Sequence, residues 1–169
     1  MISLSSIDHR IPVVAQQIHA IRMASYTQEA KLLGVSRFPP LERRVDDILA
    51  STEEFIGAFD NETLSGVLSM CADEESKGVN ISSLVVHPHH QRRGLGQALV
   101  WAATDRHHAL ELTVQTAAAN VPALALYARF GFKEYRRWSS GNEPLKLVKL
   151  SRSSASAQSA ALYLPKQEQ

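Results

Sequence analysis

The sequence predicts a single α/β domain, a mixed central sheet of about six to seven strands flanked by helices. Three observations lead there. The 169 residues are 44% hydrophobic and 21% charged, a globular composition on a length that suits one core. Short apolar runs of strand length alternate with stretches at helical spacing. The elements also come in a telling order: helices, an antiparallel run of strands, then strand–helix–strand–helix–strand. That order makes one layered sandwich, with no internal repeat.

Ile2 and Leu4 open a short first strand. Pro12 suits the first turn of a helix, where its missing N–H is not needed. Val14, Ile18 and Ile21 follow at helical spacing, and Gly34 closes this region. Pro39 and Pro40 open a second helix, in which Leu41, Val45, Ile48 and Leu49 recur at i, i+4, i+7 and i+8. Phe55 to Phe59 is a strand ending in the turn Asp60-Asn61-Glu62, and Leu64 to Cys71 completes a hairpin. After a turn at Asp73-Glu74-Glu75 and Gly78, Val79 to Val86 forms a strand with Val79, Ile81, Ser83 and Val85 on one face.

Pro88 stops that strand, and His89 to Arg93 is a loop. A helix opens at Gly94, carries the stripe Leu95, Ala98, Leu99 and Ala102, and runs to about His108. Leu110, Leu112 and Val114 alternate as a fifth strand. Pro122 to Phe130 is helical with Gly131 as its C-cap. Phe132 to Trp138 and Leu145 to Leu150 are a last pair of strands around Ser139-Ser140-Gly141-Asn142. The domain is therefore expected over residues 1–150. Residues 151–169 make a Ser/Ala/Gln-rich tail, expected to be largely disordered or to pack on a partner; Ala161 to Leu164 could add an edge strand.

Charge and cysteine content narrow the function. Eighteen Lys and Arg against 17 Asp and Glu leave a net charge of +1, which argues against a dedicated nucleic-acid or membrane-surface protein. Cys71 is a lone cysteine, so neither an internal disulfide framework nor a Cys-based zinc site can form. It sits in an apolar strand and is expected to be buried and inert. Met1 to Arg10 has no apolar run of signal-peptide length, and no stretch approaches the ~18 apolar residues of a membrane span. A soluble, cytoplasmic protein is expected.

The most informative stretch is the strand end Leu84-Val85-Val86 followed by Gln91-Arg92-Arg93-Gly94-Leu95-Gly96-Gln97. A strand runs into a loop whose glycines sit where a helix begins. Free amides at a helix start point outward, the helix dipole adds positive potential, and glycines let a large anion approach the backbone. Arg92 and Arg93 add formal charge. Physically this is a pyrophosphate cradle. It is neither the Walker loop, which needs Gly-Lys-Ser/Thr, nor the dinucleotide G-x-G-x-x-G, whose third glycine is Leu99 here.

Gln91 to Gly96 resembles the Q/R-x-x-G-x-G/A signature of the GNAT family of N-acetyltransferases. A second segment agrees: Asn120, then Ala123-Leu124-Ala125-Leu126-Tyr127, then Gly131-Phe132. This resemblance implies that acetyl-CoA lies in a V-shaped opening between the fourth and fifth strands. It implies that the pantetheine pairs with Leu84, Val85 and Val86, that the Val86 amide faces the thioester oxygen, that Arg92 to Gln97 hold the pyrophosphate through backbone amides, and that Gln91 belongs to the same cofactor-binding segment. Asn120 would bond the pantetheine arm or fix the second motif, and Tyr127 would be the general acid that protonates the leaving thiolate. Acetyl-CoA is then the co-substrate, an amine the acceptor, no metal is required, and a homodimer is common in the family.

The general base is open. Relatives place a carboxylate or His on the fourth strand, or a Glu at the end of the fifth; this chain has Asn80, Ser82 and Gln115 there, and no amide can serve as a carboxylate base. Glu29, Glu53, Glu54, His87 or a water held by Ser82 or Ser83 remain. Tyr26, Glu29, Arg37 and Phe38 fall in the region that lines the acceptor pocket in relatives, and Arg136, Arg137 and Trp138 could form an acceptor surface. His87, His89 and His90 read as a solvated loop beside phosphates, and His107-His108 as partners of a helix C-terminus. The expected activity is direct acetyl transfer to a primary amine in a ternary complex, with a small molecule favoured as acceptor over protein. The alternative is a non-catalytic acyl-CoA-binding regulatory module.

Overall fold

The computed structural model describes residues 1–140 and 145–154. Its strands are β1 Ile2–Ser6, β2 Glu54–Asp60, β3 Thr63–Ala72, β4 Val79–Val86, β5 Leu112–Ala117, β6 Lys133–Ser140 and β7 Leu145–Arg152. The helices are α1 Pro12–Leu33, α2 Val45–Leu49, α3 Leu95–Arg106 and α4 Val121–Arg129. The strands form one sheet in the order β1-β2-β3-β4-β5-β7-β6. Every pair is antiparallel except β4–β5, the pair joined by a helical crossover through α3.

Two apolar layers sandwich the sheet. One gathers Ile56, Leu68, Met70, Val79 and Ile81 with Leu95 and Leu99 of α3 and Tyr127 of α4. The other sets Ala15, Ile18 and Ile21 of α1 and Ile48 of α2 against Phe55, Val67 and Val85. α1 ends where Gly34 takes the left-handed conformation (φ 66°), with Val35 N–H bonded to the Ala30 carbonyl at 3.2 Å. The β2–β3 hairpin turns on Asn61 (φ 48°) and Glu62 (φ 71°), a two-residue loop with the twist such hairpins favour. At the next turn a Cβ on Gly78 would lie 2.0 Å from the Glu111 carbonyl oxygen, so only glycine lets the start of β4 approach β5.

Several local expectations need correction. The second helix is broken: a 3-10 turn at Pro39–Glu42 is separated from α2 by Arg43 and Arg44 in extended conformation. Asp47 accepts the Arg44 amide at 2.7 Å and so starts a new helix there. Leu110 lies before β5 and is exposed. β7 continues two residues past the expected end of the domain, and Arg152 is buried in it. Ser139 and Ser140 belong to β6, while the rest of that turn and the tail from residue 155 lie outside the described residues.

The correction that matters most concerns β4. Met70 pairs with Ile81 and Ser69 pairs with Ser83, so Ser82 is an extra residue on β4. Such a bulge reverses side-chain alternation. Val79 and Ile81 therefore face α3, whereas Val85 faces α1. The four residues expected on one face are divided between two.

Candidate active site

The bulge also decides where the sheet opens. β4 and β5 pair only over Val79–Ile81 and Leu112–Val114; beyond that, neither strand has the other as partner. The opening starts at Ser82. His87 N–H bonds the Ser65 carbonyl at 2.8 Å, so residues 85 and 87 direct their polar backbone to β3. Antiparallel ladders alternate, which leaves the amides of Leu84 and Val86 directed to the open side. Val85 spends its amide on β3 and its side chain on the α1 layer, so of the three strand-end residues only Leu84 and Val86 offer backbone to the cleft.

The strand end leads into the loop at the start of α3. Arg92 (φ 65°) and Gly94 (φ 86°) both turn left-handed. The first backbone bond of the helix is Ala98 N–H to the Gly94 carbonyl at 2.9 Å, so the amides of Leu95, Gly96 and Gln97 are free. Alternating backbone hands beside a helix start form an anion-binding concavity. Side chains here divide. Arg92 and Gln97 are exposed. Leu95 is buried in the core and contributes only its amide. Arg93 does not face the loop's amides: its Nη1 bonds Asp60 Oδ2 at 2.6 Å, and His90 Nδ1 stands 3.3 Å from the same oxygen. Those contacts, Arg93 foremost, hold the Asp60 carboxyl below its ordinary range. Gln91 donates to Gln28 on α1 at 2.7 Å and to the Val86 carbonyl at 3.3 Å.

α1 roofs the opening through three polar contacts. Besides Gln28, Tyr26 Oη lies 2.7 Å from Ser83 Oγ, next to the bulge, and Glu29 accepts from Asn120 Nδ2 at 3.1 Å. Asn120 is also the N-cap of α4, its Oδ1 accepting the Ala123 amide at 3.2 Å. Tyr127, two turns into α4, is buried and packs edge-on to Phe132 at 5.5 Å. Among the described residues its hydroxyl has no hydrogen-bond partner. Burial, then the charge of Glu29 and the presence of Tyr26, push the Tyr127 phenol well above its ordinary value. It stays protonated at neutral pH and is a donor. Burial likewise raises Tyr26 and Glu29.

The remaining sequence candidates scatter. Phe38 packs edge-on to Tyr26 at 5.9 Å, at the α1 roof. Arg37 is exposed and paired with Glu42. Glu53 stands 4.0 Å from buried Arg22, and Glu54 pairs with Arg106. His87 Nδ1 accepts the His89 amide at 3.2 Å; burial and then its histidine neighbours lower its pKa. Among the described residues no group of three His, Cys, Asp or Glu side chains is placed to hold a metal ion. His108 Nδ1 reaches the Asp105 carbonyl at the end of α3. Asn80 Oδ1 lies 3.1 Å from Thr113 Oγ1, and Gln115 is exposed. Cys71 is half-buried, not fully buried, with its sulfur 3.3 Å from Ser82 Oγ. Arg136 and Arg137 are paired with Glu75 and Glu134, and Arg136 lies over Trp138. Gln28 escaped the sequence reading. Glycine spacing betrays the loop, but nothing in the sequence announces a partner 63 residues away. No helix among the described residues is long and apolar enough to cross a membrane.

Comparison with known proteins agrees with this fold. The model of the acetyltransferase (GNAT) family matches residues 15–132. A curated relative, UPF0157 protein YqkA of Bacillus subtilis, is 35% identical over 129 residues. That match takes in 76% of this chain but 37% of the relative, so the chain spans little more than a third of that protein's length. Among solved structures, the ribosomal-protein-S18-alanine N-acetyltransferase of Escherichia coli superposes with a TM-score of 0.69 at 17% identity, covering 89% of this chain and 92% of that one. The PaiA N-acetyltransferase of Thermoplasma acidophilum, in complex with coenzyme A, gives 0.67 at 15% identity, covering 88% and 98%. At those identities the likeness is one of fold.

Proposed function

The chain belongs to the acetyltransferase (GNAT) family, and on that footing we propose that it transfers the acetyl group of acetyl-CoA directly to a primary amine within a ternary complex. One observation supports the proposal: β4 parts from β5 beyond Ile81, its free edge carries the Leu84 and Val86 amides, and the strand leads on to the unpaired amides at the start of α3.

In this reading the pantetheine pairs with Leu84 and Val86 as an added strand, and the amides from Arg92 to Gln97 hold the pyrophosphate. The Val86 amide donates to the thioester oxygen as it gains charge. Tyr127 gives its proton to the departing sulfur, a role suited to a buried phenol whose hydroxyl is uncommitted. Asn120 caps α4 and so fixes Tyr127 relative to the cleft. No covalent acetyl-enzyme is needed, and Cys71, on the β3 side of Ser82, is not placed to form one.

We infer a small-molecule acceptor over a protein one, and a cytoplasmic protein that uses neither nucleic acid nor metal. The competing reading is a regulatory module that binds acyl-CoA without turnover, favoured by Asn80 and Gln115 at positions where relatives carry a carboxylate. Thiol release from acetyl-CoA, screened over alkylamines, amino acids, polyamines, aminoglycosides and peptides, separates the two. Release well above background hydrolysis identifies the transferase and its acceptor class. Tight acetyl-CoA binding with no release across the panel favours the module.

A further inference from the structure

Acetyl transfer to an amine needs a group that takes a proton from the acceptor nitrogen, because an ammonium has no lone pair with which to attack. Four carboxylates are buried or half-buried among the described residues: Glu29, Glu53, Asp60 and Asp73. Three of them face a cation. Glu53 stands 4.0 Å from Arg22, Asp60 2.6 Å from Arg93, and Asp73 3.7 Å from Lys149. A carboxylate paired in this way is held in its charged form and is a poor proton acceptor. Glu29 differs. Its hydrogen-bond partner is the neutral amide of Asn120, across the opening on α4.

The setting of Glu29 suits the chemistry in two further ways. The ionisable groups near it are the phenols Tyr26 on its own helix and Tyr127 on α4, with Arg43, from the segment before α2, acting on Tyr26. Neighbours of Glu29 and of Asn120 also line a cavity. This cavity, of about 560 Å³, is lined by Leu33, one turn beyond Glu29 on the same face of α1, and by Ala119, the neighbour of Asn120. Val35, Ala118 and Lys146 also belong to its wall.

We propose that Glu29 is the proton acceptor of the transfer, and that the acceptor amine reaches it through the cavity beside Leu33 and Ala119. This rests on the acetyl-transfer function proposed above. The incoming ammonium gives one proton to the Glu29 carboxylate. The freed nitrogen lone pair then forms the C–N bond at the thioester carbon, and the carbonyl electrons move onto oxygen beside the Val86 amide. When they return, the C–S bond breaks and sulfur leaves with its electron pair, taking the Tyr127 proton. The second proton on nitrogen restores Tyr127, and Glu29 returns its proton to solvent. One amide, one thiol and one released proton balance the step. Burial pushes the Glu29 carboxyl up, against the lowering effect of the Asn120 bond, and so makes it a better proton acceptor than a solvated carboxylate.

The test compares wild type, Glu29→Gln and Glu29→Asp, using the amine that gives the fastest thiol release in the screen. Hydroxylamine, already neutral at pH 7, is run alongside. We expect Glu29→Gln to lose roughly 10²-fold in kcat with the alkylamine and to lose the acid limb of the kcat/KM profile. It should lose far less with hydroxylamine, and keep its acetyl-CoA Kd within about threefold. Glu29→Asp should recover part of the rate and the acid limb, and it also reports should the Gln variant fold poorly. An unchanged rate and profile in Glu29→Gln overturns the assignment. Silence of wild type towards every amine defeats acetyl transfer instead. The base assignment falls with it, whereas an unchanged Glu29→Gln beside an active wild type removes the base and leaves the transfer standing.

Discussion

Tyr26 Oη and Ser83 Oγ stand 2.7 Å apart, tying the middle of α1 to β4 one residue beyond its bulge. The bond fixes the roof of the cleft to the strand whose edge it covers. Together with Gln28–Gln91 and Glu29–Asn120 it ties one helix to the strand, the loop before α3 and the cap of α4.

Tyr26→Phe removes that bond and leaves the ring in place. We expect a loss of about 1 kcal/mol in unfolding free energy by urea titration, the usual net value of one such bond. No change in stability would mean that Ser83 finds water as good a partner.

Tyr127→Phe should lower turnover by roughly 10²-fold while acetyl-CoA affinity stays nearly constant, since the hydroxyl acts on the leaving sulfur and not on the bound ground state. Because burial raises the phenol above its ordinary 10.0, loss of its proton should not limit kcat below that pH. A fall in kcat near pH 8 that disappears in the Phe variant would contradict the raised pKa. Equal turnover would remove Tyr127 from the chemistry.

Gly94→Val tests the loop. A Cβ at Gly94 meets nothing within 4 Å, so the cost there is conformational: φ 86° is unfavourable for a β-branched residue by about 1–3 kcal/mol. Relaxing that strain turns the loop amides away. Isothermal titration should show acetyl-CoA affinity falling at least tenfold, and retained affinity would argue that the amides do not hold the pyrophosphate. Gly96→Val crowds Leu126, 3.4 Å from a new Cβ, and should weaken binding by moving α4.

Asp60→Asn releases Arg93 and His90. The Asp60 carboxyl is depressed in the folded chain, so its contribution to stability is present above the unfolded value of 3.8 and is lost as pH falls below it. Wild type should therefore lose stability on acidification through that range more steeply than Asp60→Asn, measured as melting temperature against pH. Near neutral pH the variant should bind acetyl-CoA several-fold more weakly, because the loop from Gln91 to Gly94 loses its tether to β2. Identical acid profiles would show that the ion pair is exchanged for water at no cost.

Much of the architecture was legible from local patterns. Pro12 and Gly34 bracket α1, and the hairpin at Asn61-Glu62 and the left-handed Gly131 after α4 follow from residues whose own backbone preferences act over one turn. The second helix was misread for the same local reason. Leu41, Val45, Ile48 and Leu49 keep helical spacing, yet Asp47 caps a new start and the segment between is extended.

By itself the sequence determined the helix start at Gly94, because Gly94 and Gly96 before an apolar stripe dictate a turn into a helix with free amides. It likewise determined the Asn120 cap, whose side chain bonds an amide three residues on. The tertiary structure alone decided the opening above Ser82, the commitment of Arg93 to Asp60, and the meeting of Glu29 with Asn120. A bulge exists only in the register between two strands, and Arg93 could be assigned to phosphate until a strand 33 residues away brought a carboxylate to it. Glu29 acquires its environment from a helix 91 residues distant. Short-range preference writes the elements, while burial and charge at the cleft arise only when those elements are packed together.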